Sequence, residues 1–252
     1  MIKIKTPQEL KIMQIGGQML AETLREVCAH VQPGVSELEL DTLADKLIKE
    51  KGGEPGFKKV EGYHHSTCIS TNEVVVHGIP SAYVLKEGDI IGIDCGVFYQ
   101  GFHTDMSETV RVGNQKSDEM DKFLRVGKEA LEAGIAQAKL GNHVGDISKA
   151  IQDIIEVQNG YSVVRSLVGH GVGRELHEDP EVPGYLRGKI EKTPELKEGM
   201  VIAVEVIYNM GGPDLAFANN DGWTLQSKDG SLAGLFERTL AITANGPLII
   251  TE

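Results

Sequence analysis

The sequence predicts an α+β fold built from two pseudo-symmetric halves, because a strand pattern and a helix pattern each occur twice. Residues 86–93 run into Asp94, and the similar residues 197–204 run into Glu205, 111 positions later. In each copy a Lys-Glu-Gly turn opens a short apolar segment with strand character. Each segment ends on an acidic residue where burial disfavours charge, so we expect a cation site shared between the halves.

Two helices are predicted at the start of the first half. Apolar residues recur at helical spacing from residue 6 to residue 30, and a Pro-Gly pair then stops the pattern. The second helix begins after Ser36, the predicted N-cap, which forms a capping box with Glu39. Its apolar stripe ends at a pair of glycines that includes Gly53.

A β-hairpin follows, with arms at residues 90–98 and 102–112 and a turn at residues 99–101 that contains a glycine. Asp94 and Asp105 lie on opposite arms at similar distances from this turn. We therefore expect them nearly opposite each other, about 5 Å apart at Cβ. The alternative is a hairpin with both acids in solvent, but Asp94 ends an apolar run, which disfavours it.

The second half repeats the helix pair after a seam near residues 112–116. A long helix is predicted over residues 117–140, and the next helix repeats the apolar stripe 107 positions later, with Gly160 in the place of Gly53. Further strands are expected near residues 162–168, 201–208 and 236–243. We predict a single domain of residues 1–252, with halves of about 6–112 and 117–243.

The bulk composition excludes several classes of partner. A net charge of -12 and a pI of about 5.2 argue against nonspecific binding to nucleic acid or anionic membranes, which depends on Lys and Arg. The three cysteines lack CxxC spacing, so neither a disulfide framework nor a zinc finger is indicated. The first residues contain no apolar signal segment, and a cytoplasmic location is expected.

Three histidines occur in settings that suit a functional site. His170 and His177 belong to a glycine-rich segment, and their spacing of seven predicts one ring on a strand and the other in the loop beyond it. A phosphate-binding glycine loop is an alternative, but neither GxGxxG nor a Walker pattern is present. For His77, in the segment VVVHGIP, a purely structural role is the alternative.

Glu205 and Glu237 complete an inventory of four acids with apolar neighbours. An ion pair between Glu237 and Arg238 is an alternative, although adjacent strand residues point to opposite faces. With the hairpin aspartates and His170, the four acids suit two divalent cations held roughly 3.5 to 4 Å apart, with a water acidified enough to attack a carbonyl. Oxygen ligands with one nitrogen favour Mn, Fe or Co and do not exclude Zn.

The order of these residues resembles type I methionine aminopeptidases over nearly the whole chain. The motifs that carry the resemblance are NEVVVHGIP at residues 72–80, GID at 92–94, TDMS at 104–107, GHGVG and HE within 169–178, and DGWT at 221–224. The resemblance implies the pita-bread fold, in which a mainly antiparallel central sheet is flanked by two pairs of helices. It also implies a single catalytic domain that binds two divalent ions per chain.

The resemblance also implies a role for each ligand. Asp94 would chelate one metal ion, Asp105 and Glu237 would bridge both ions, and His170 and Glu205 would bind the other ion. Glu205 would in addition carry the proton between the attacking water and the leaving amine.

The resemblance assigns further residues to the substrate. His77 would contact the scissile amide and the N-terminal residue, and His177 would polarise the carbonyl and stabilise the oxyanion. The methionine side chain would be held by an apolar pocket formed by Cys68, Tyr63, Trp223 and Leu176.

Three positions depart from the family pattern. Val206 stands where proline commonly follows the catalytic glutamate, Arg238 where histidine follows the bridging glutamate, and Leu176 where phenylalanine precedes the second histidine. The segment between Tyr63 and Cys68 is also short. We expect these changes to affect pocket shape and specificity before catalysis.

The implied activity is removal of the initiator methionine from nascent polypeptides by a cytoplasmic monomer, with the ribosome as a partner. Two alternatives remain open at this point. A proline-directed aminopeptidase or dipeptidase of the same fold has a similar ligand set, but usually carries an extra N-terminal domain. A non-catalytic binding protein on this fold would be expected to have lost ligands.

Overall fold

The computed structural model describes all 252 residues and contains four α-helices and thirteen β-strands. The helices are α1 Pro7–Ala29, α2 Glu37–Glu50, α3 Asp118–Gln137 and α4 Val144–Gln152. The first-half strands are β1 Glu54–Pro55, β2 Thr67–Thr71, β3 Val74–Val76, β4 Ile90–Tyr99 and β5 Phe102–Arg111. The second-half strands are β6 Ser162–Val163, β7 Gly169–Gly171, β8 Glu178–Val182, β9 Val201–Asn209, β10 Leu215–Phe217, β11 Leu225–Ser227, β12 Ala233–Thr243 and β13 Gly246–Ile249.

Side-chain caps fix where the first two helices begin. Thr6 accepts a hydrogen bond from the backbone N–H of Glu9, and the Glu9 carboxylate accepts one from the Thr6 N–H, which completes a capping box. Ser36 and Glu39 form the same box at α2, as predicted. None of the helices combines the length and apolar character needed to cross a bilayer.

The second helix of each pair ends at a position that differs by one residue between the halves. A π-helical turn, Asp153–Gln158, follows α4 and adds a residue that α2 lacks. The left-handed glycine that ends the helix is Gly160 in the second half and Gly52 in the first, with φ of 72° and 89°. The predicted match of Gly160 to Gly53 was therefore wrong by one position.

One ten-stranded antiparallel sheet forms the centre of the molecule, in the order β1-β4-β5-β12-β9-β7-β8. Strands β2, β6 and β13 pair with β4, β9 and β12 respectively, and a small second sheet has the order β10-β11-β3. The two halves meet between β5 and β12. The fold class is confirmed: two helix pairs cover one face of a mainly antiparallel sheet.

The predicted strand over residues 162–168 was only partly right. β6 pairs with β9 at Tyr208 and Asn209, and β7 pairs with it again at Ile202 and Ala203. Between these two contacts the chain leaves β9, and residues 166–168 line a groove that also contains Glu205. The break in the strand is thus what opens the sheet above Glu205.

The strand repeat seen in the sequence is also present in three dimensions. Gly88 and Gly199 open β4 and β9 with φ of 89° and 80°, so both copies of the Lys-Glu-Gly turn need a left-handed residue. Asp94 and Glu205 then occupy the fifth position of their strands. Their neighbours Ile93 and Val204 point the other way, into the two helix-covered cores.

Candidate metal centre

The five predicted metal ligands lie in two neighbouring rows that cross the sheet on one face. The first row contains Cys68, Asp94, Ser107, Glu237 and Glu205, on β2, β4, β5, β12 and β9. The second row, two positions along, contains Gly96, Asp105, Thr239, Ala203 and His170. Residues two apart on a strand share a face, so the ligands converge, and the small residues between them leave space.

The predicted pairing of Asp94 with Asp105 was wrong in register. Asp94 pairs with Ser107, and Asp105 pairs with Gly96, which puts the two aspartates in adjacent rows. The hairpin turn has two residues, Gln100 and Gly101, with φ of 46° and 89°, where the sequence suggested three. The shorter turn shifts the register and leaves both carboxylates on the same face.

Burial makes this cluster of carboxylates electrostatically unfavourable without a counter-charge. Desolvation, followed by repulsion from neighbouring carboxylates, raises the pKa of Asp94, Glu205 and Glu237 well above the usual range. Desolvation also raises the pKa of Asp105 to about 7. The oxygen atoms Asp94 Oδ1 and Glu237 Oε1 are buried and have no hydrogen-bond partner. Buried oxygens without partners are typical of carboxylates that bind cations.

Arg238 does not neutralise Glu237. Its guanidinium lies on the helix-covered face, where Nη2 donates to Glu108 Oε2 at 2.9 Å and Nη1 donates to the backbone carbonyls of Ser107 and Glu237. The ion-pair alternative is therefore not seen. Val206 also points to the helix-covered face and is fully buried. Of the three departures from the family pattern, only Leu176 lines the cavity above the carboxylates.

His170 presents a nitrogen suited to metal binding. Its Nδ1 donates to the carbonyl of Gly171 at 2.9 Å, which leaves the lone pair of Nε2 facing the acids. Nε2 lies 3.4 Å from Glu205 Oε1 and 3.8 Å from Asp105 Oδ2. Burial lowers the pKa of His170 to about 3, which favours the neutral imidazole that binds metals.

The donor set fits divalent cations. One donor atom each of Asp105, His170 and Glu237 lies within 4.8 Å of the others. Four carboxylates and one imidazole supply four negative charges, which two divalent ions would balance. The unpartnered oxygens of Asp94 and Glu237 and the neutral imidazole of His170 agree with cation binding, since each offers a lone pair that no donor occupies.

His77 and His177 border the same cavity from two sides. His77 follows β3 and has a φ of 56°, a left-handed conformation that costs a non-glycine residue on the order of 1–3 kcal/mol and occurs most often at functional sites. His177 directly precedes β8, and its ring lies edge-on to that of His170 with centroids 4.5 Å apart. The predicted placement of one histidine on a strand and the other in a loop was right.

An apolar pocket adjoins the carboxylates within the same cavity, whose volume is about 140 Å³. Tyr63, Cys68 and Leu176 are buried in one cluster, and Trp223 stacks edge-on against Tyr63 at 5.1 Å. Two lining residues were not anticipated from the sequence, namely Phe57 and Val60. They belong to a short 3₁₀ turn and its end, and no motif distinguishes them from ordinary core residues.

All eleven predicted site residues line this one cavity. A wider groove of about 460 Å³ shares the five side chains of His77, Asp94, His170, His177 and Glu205 with the cavity and extends past residues 166–169 to the surface. The pocket, the carboxylates and the groove therefore form a continuous path. An extended chain could place its first side chain in the pocket and its remainder in the groove.

Comparison with known proteins identifies the family. The sequence profile of metallopeptidase family M24 matches residues 11–244. The chain belongs to metallopeptidase family M24. Within this family it is 46% identical to methionine aminopeptidase 1 of Bacillus subtilis, with all of both chains covered. It also matches the crystal structure of methionine aminopeptidase from Thermotoga maritima, with a TM-score of 0.95, 41% identity and complete coverage of both chains.

These M24 relatives confirm the resemblance to methionine aminopeptidases and show that the protein is an enzyme of that kind. The fold also matches prolidase from Pyrococcus furiosus, with a TM-score of 0.78 and 24% identity. The match covers 99% of this chain but 65% of the prolidase chain, and at this identity it shows the fold alone.

Proposed function

We propose that the protein removes the initiator methionine from newly made polypeptides by dinuclear-metal-assisted amide hydrolysis. The observation that carries this proposal is the convergence of the acids, His170 and an apolar pocket on one cavity. The pocket is lined by sulfur, aromatic and aliphatic side chains, which suit a flexible thioether. Two ions drawn from Co, Mn, Fe or Zn would be held by Asp94, Asp105, His170, Glu205 and Glu237.

Each side chain has a distinct role in the proposed hydrolysis. When bound, the two ions acidify a water molecule and polarise the carbonyl of the scissile amide. Glu205 lines both the cavity and the groove, which supports our assignment of its carboxylate as the group that takes a proton from the attacking water and passes it to the leaving amine. His177 donates to the developing oxyanion, and His77 holds the amide and the N-terminal residue.

The setting we propose for this reaction is the cytoplasm, where a monomer acts on nascent chains at the ribosome. A net charge of -12 disfavours nonspecific attachment to RNA, so contact with the ribosome would depend on a specific surface.

The test compares two tripeptides on protein that has been stripped of metal by chelation and then given Mn²⁺, Co²⁺, Fe²⁺ or Zn²⁺. We expect metal addition to raise the melting temperature and to be required for turnover. Met-Ala-Ser should be cleaved at least about tenfold faster than Ala-Pro-Ser, because the pocket suits methionine. The reverse order would support the proline-directed alternative. Metal binding without cleavage of either peptide would support a binding protein.

A further inference from the structure

We propose that Lys5 is a positioning residue for His177, and that it acts through a buried ion pair with Glu178. The inference rests on the proposed contact of His177 with substrate. Lys5 lies 172 positions from His177 in the sequence, in the segment before α1, and lines neither the cavity nor the groove.

The ion pair is almost fully removed from water. Lys5 Nζ lies 2.8 Å from Glu178 Oε2, and the two side chains are 4% and 2% exposed. The second oxygen, Oε1, accepts a longer contact of 3.2 Å from Lys3, whose side chain is 52% exposed. Loss of the Lys5 ammonium would leave the Glu178 carboxylate buried beside a single solvent-exposed cation.

Glu178 organises the loop that carries His177. Its Oε1 accepts hydrogen bonds from the backbone N–H groups of Arg174 at 2.9 Å and Glu175 at 3.3 Å. The carboxylate therefore closes the turn that begins at Gly173 and ends beside His177. A side chain at Gly173 would place Cβ 2.5 Å from Lys5 Cε, so glycine is what lets the lysine reach the carboxylate.

The backbone around Lys5 is fixed to the central sheet. The Lys5 N–H donates to the carbonyl of Gly199 at 2.8 Å, and Ile4 forms a β-bridge with Met200. These residues lead directly into β9, the strand that carries Glu205. Lys5 thus connects the start of β9 to the His177 loop, whereas the metal ligands are held by the strand ladders themselves.

This arrangement predicts a selective effect on the rate. In Lys5→Met the loop that carries His177 should lose order, while the carboxylate rows keep theirs. We expect kcat for Met-Ala-Ser to fall roughly tenfold, with KM and bound metal per chain nearly unchanged, because the interaction lost is one made in the transition state.

The experiment is a double-mutant cycle with a matched control. Lys5→Met is compared in the wild-type and His177→Ala backgrounds, and in the second background we expect less than about a twofold further loss of kcat, because the effect passes through the missing imidazole. Lys51→Met is the control: Lys51 pairs with Glu26 and Glu22 at 2.9 and 3.5 Å between α1 and α2, and lines neither the cavity nor the groove. It should leave kcat unchanged.

Hydrogen exchange supplies a readout that does not depend on activity. In Lys5→Met, amides of residues 172–178 should exchange at least about tenfold faster, while those of β4, β5, β9 and β12 stay protected. If Lys5→Met does not fold, the kcat comparison and the hydrogen-exchange measurement are made on Lys5→Gln, which keeps a hydrogen-bond donor but loses the charge.

Two results would overturn the proposal: unchanged exchange in the loop, or an equal loss of kcat in both backgrounds. A wild-type protein that cleaves no Met-Ala-Ser would instead overturn the proposed function. In that case the exchange data alone still decide whether Lys5 orders the loop.

Discussion

The hydroxyl of Thr239 exchanges two hydrogen bonds with the backbone of Asp105 across the seam between the halves. The Asp105 N–H donates to Thr239 Oγ1 at 3.0 Å, and the same hydroxyl donates to the Asp105 carbonyl at 2.8 Å. Thr109 makes the equivalent pair with Leu235, at 2.9 and 2.6 Å. Between these two threonines, β5 and β12 share a ladder of two residue pairs. Side-chain hydroxyls therefore help to set the spacing of the strands that carry Asp105 and Glu237.

The first prediction follows from this spacing and uses Thr109 as the control. Thr239→Val and Thr109→Val should each destabilise the protein by about 1–3 kcal/mol, because each leaves a buried backbone N–H without its partner. Only Thr239→Val should also weaken metal binding, since Asp105 is a proposed ligand and Leu235 is not. Urea unfolding and metal titration measure the two effects. Equal metal affinity in the two variants would show that Thr239 does not position Asp105.

The second prediction concerns the pH dependence of the metal-free protein. Buried acids with raised pKa values stabilise the fold while protonated, and that stability is lost as the pH rises through the folded pKa, about 7 for Asp105 and higher than usual for Asp94, Glu205 and Glu237. Burial lowers the pKa of His170 to about 3. The stability that neutral His170 contributes is fully present above its unfolded-state pKa of about 6.5 and is lost on acidification. This contribution therefore does not change in alkaline solution.

We therefore expect the free energy of unfolding of chelated protein to fall as the pH rises above about 6.5, because the buried Asp94, Glu205 and Glu237 still hold protons that the unfolded chain has released, while the His170 contribution no longer changes. Divalent ions should abolish the fall, because they balance the charge that deprotonation creates. Urea denaturation at several pH values, with and without Mn²⁺, measures both effects. Metal-free protein that gains stability over this range would contradict the description of the site as a buried, uncompensated acid cluster.

Much of the site could be predicted from the sequence, because its chemistry depends on residue type and on which face of a strand each residue occupies. A repeated turn followed by a strand fixes which residue ends each apolar run, and this placed Asp94 and Glu205 correctly. The error over Asp105 arose from the turn, since Gln100 also adopts a left-handed conformation and thereby shortens the loop. Whether a non-glycine residue does so depends on tertiary context that sequence does not contain.

Long-range contacts explain the other features that were missed. Phe57 and Val60 reach the pocket only because β1 and the following turn fold against β4. Lys5 and Glu178 meet across 173 positions, and although Glu178 belongs to the HE motif, nothing in the sequence marks Lys5 as its partner. Such pairings leave no local period or spacing, so only the assembled fold reveals them.

The third prediction separates ligands from substrate contacts. Glu205→Gln should nearly abolish turnover while the protein stays folded, because it removes a ligand charge and a proton acceptor. His177→Ala should retain metal but lose transition-state stabilisation, with a rate about a hundredfold lower or more. Metal analysis and single-substrate kinetics on both variants measure this difference. A His177→Ala protein that lost its metal yet kept its turnover per bound ion would show that the histidine roles are misassigned.

The last prediction concerns the specificity of the apolar pocket. Leu176 is 8% exposed and packs with Phe57, Tyr63 and Cys68, so the pocket is lined by apolar side chains that can adjust their positions. The pocket should therefore accept norleucine nearly as well as methionine. Branched leucine should be cleaved more slowly, by the factor that about 1–3 kcal/mol of apolar discrimination allows. Leu176→Phe adds bulk to the wall and should widen the preference for methionine over leucine. Leu140→Phe, at an exposed position in the turn after α3, is the control. Values of kcat/KM for Met-Ala-Ser, norleucyl-Ala-Ser and Leu-Ala-Ser test this, and an unchanged ratio in Leu176→Phe would exclude Leu176 from the wall that contacts the substrate side chain.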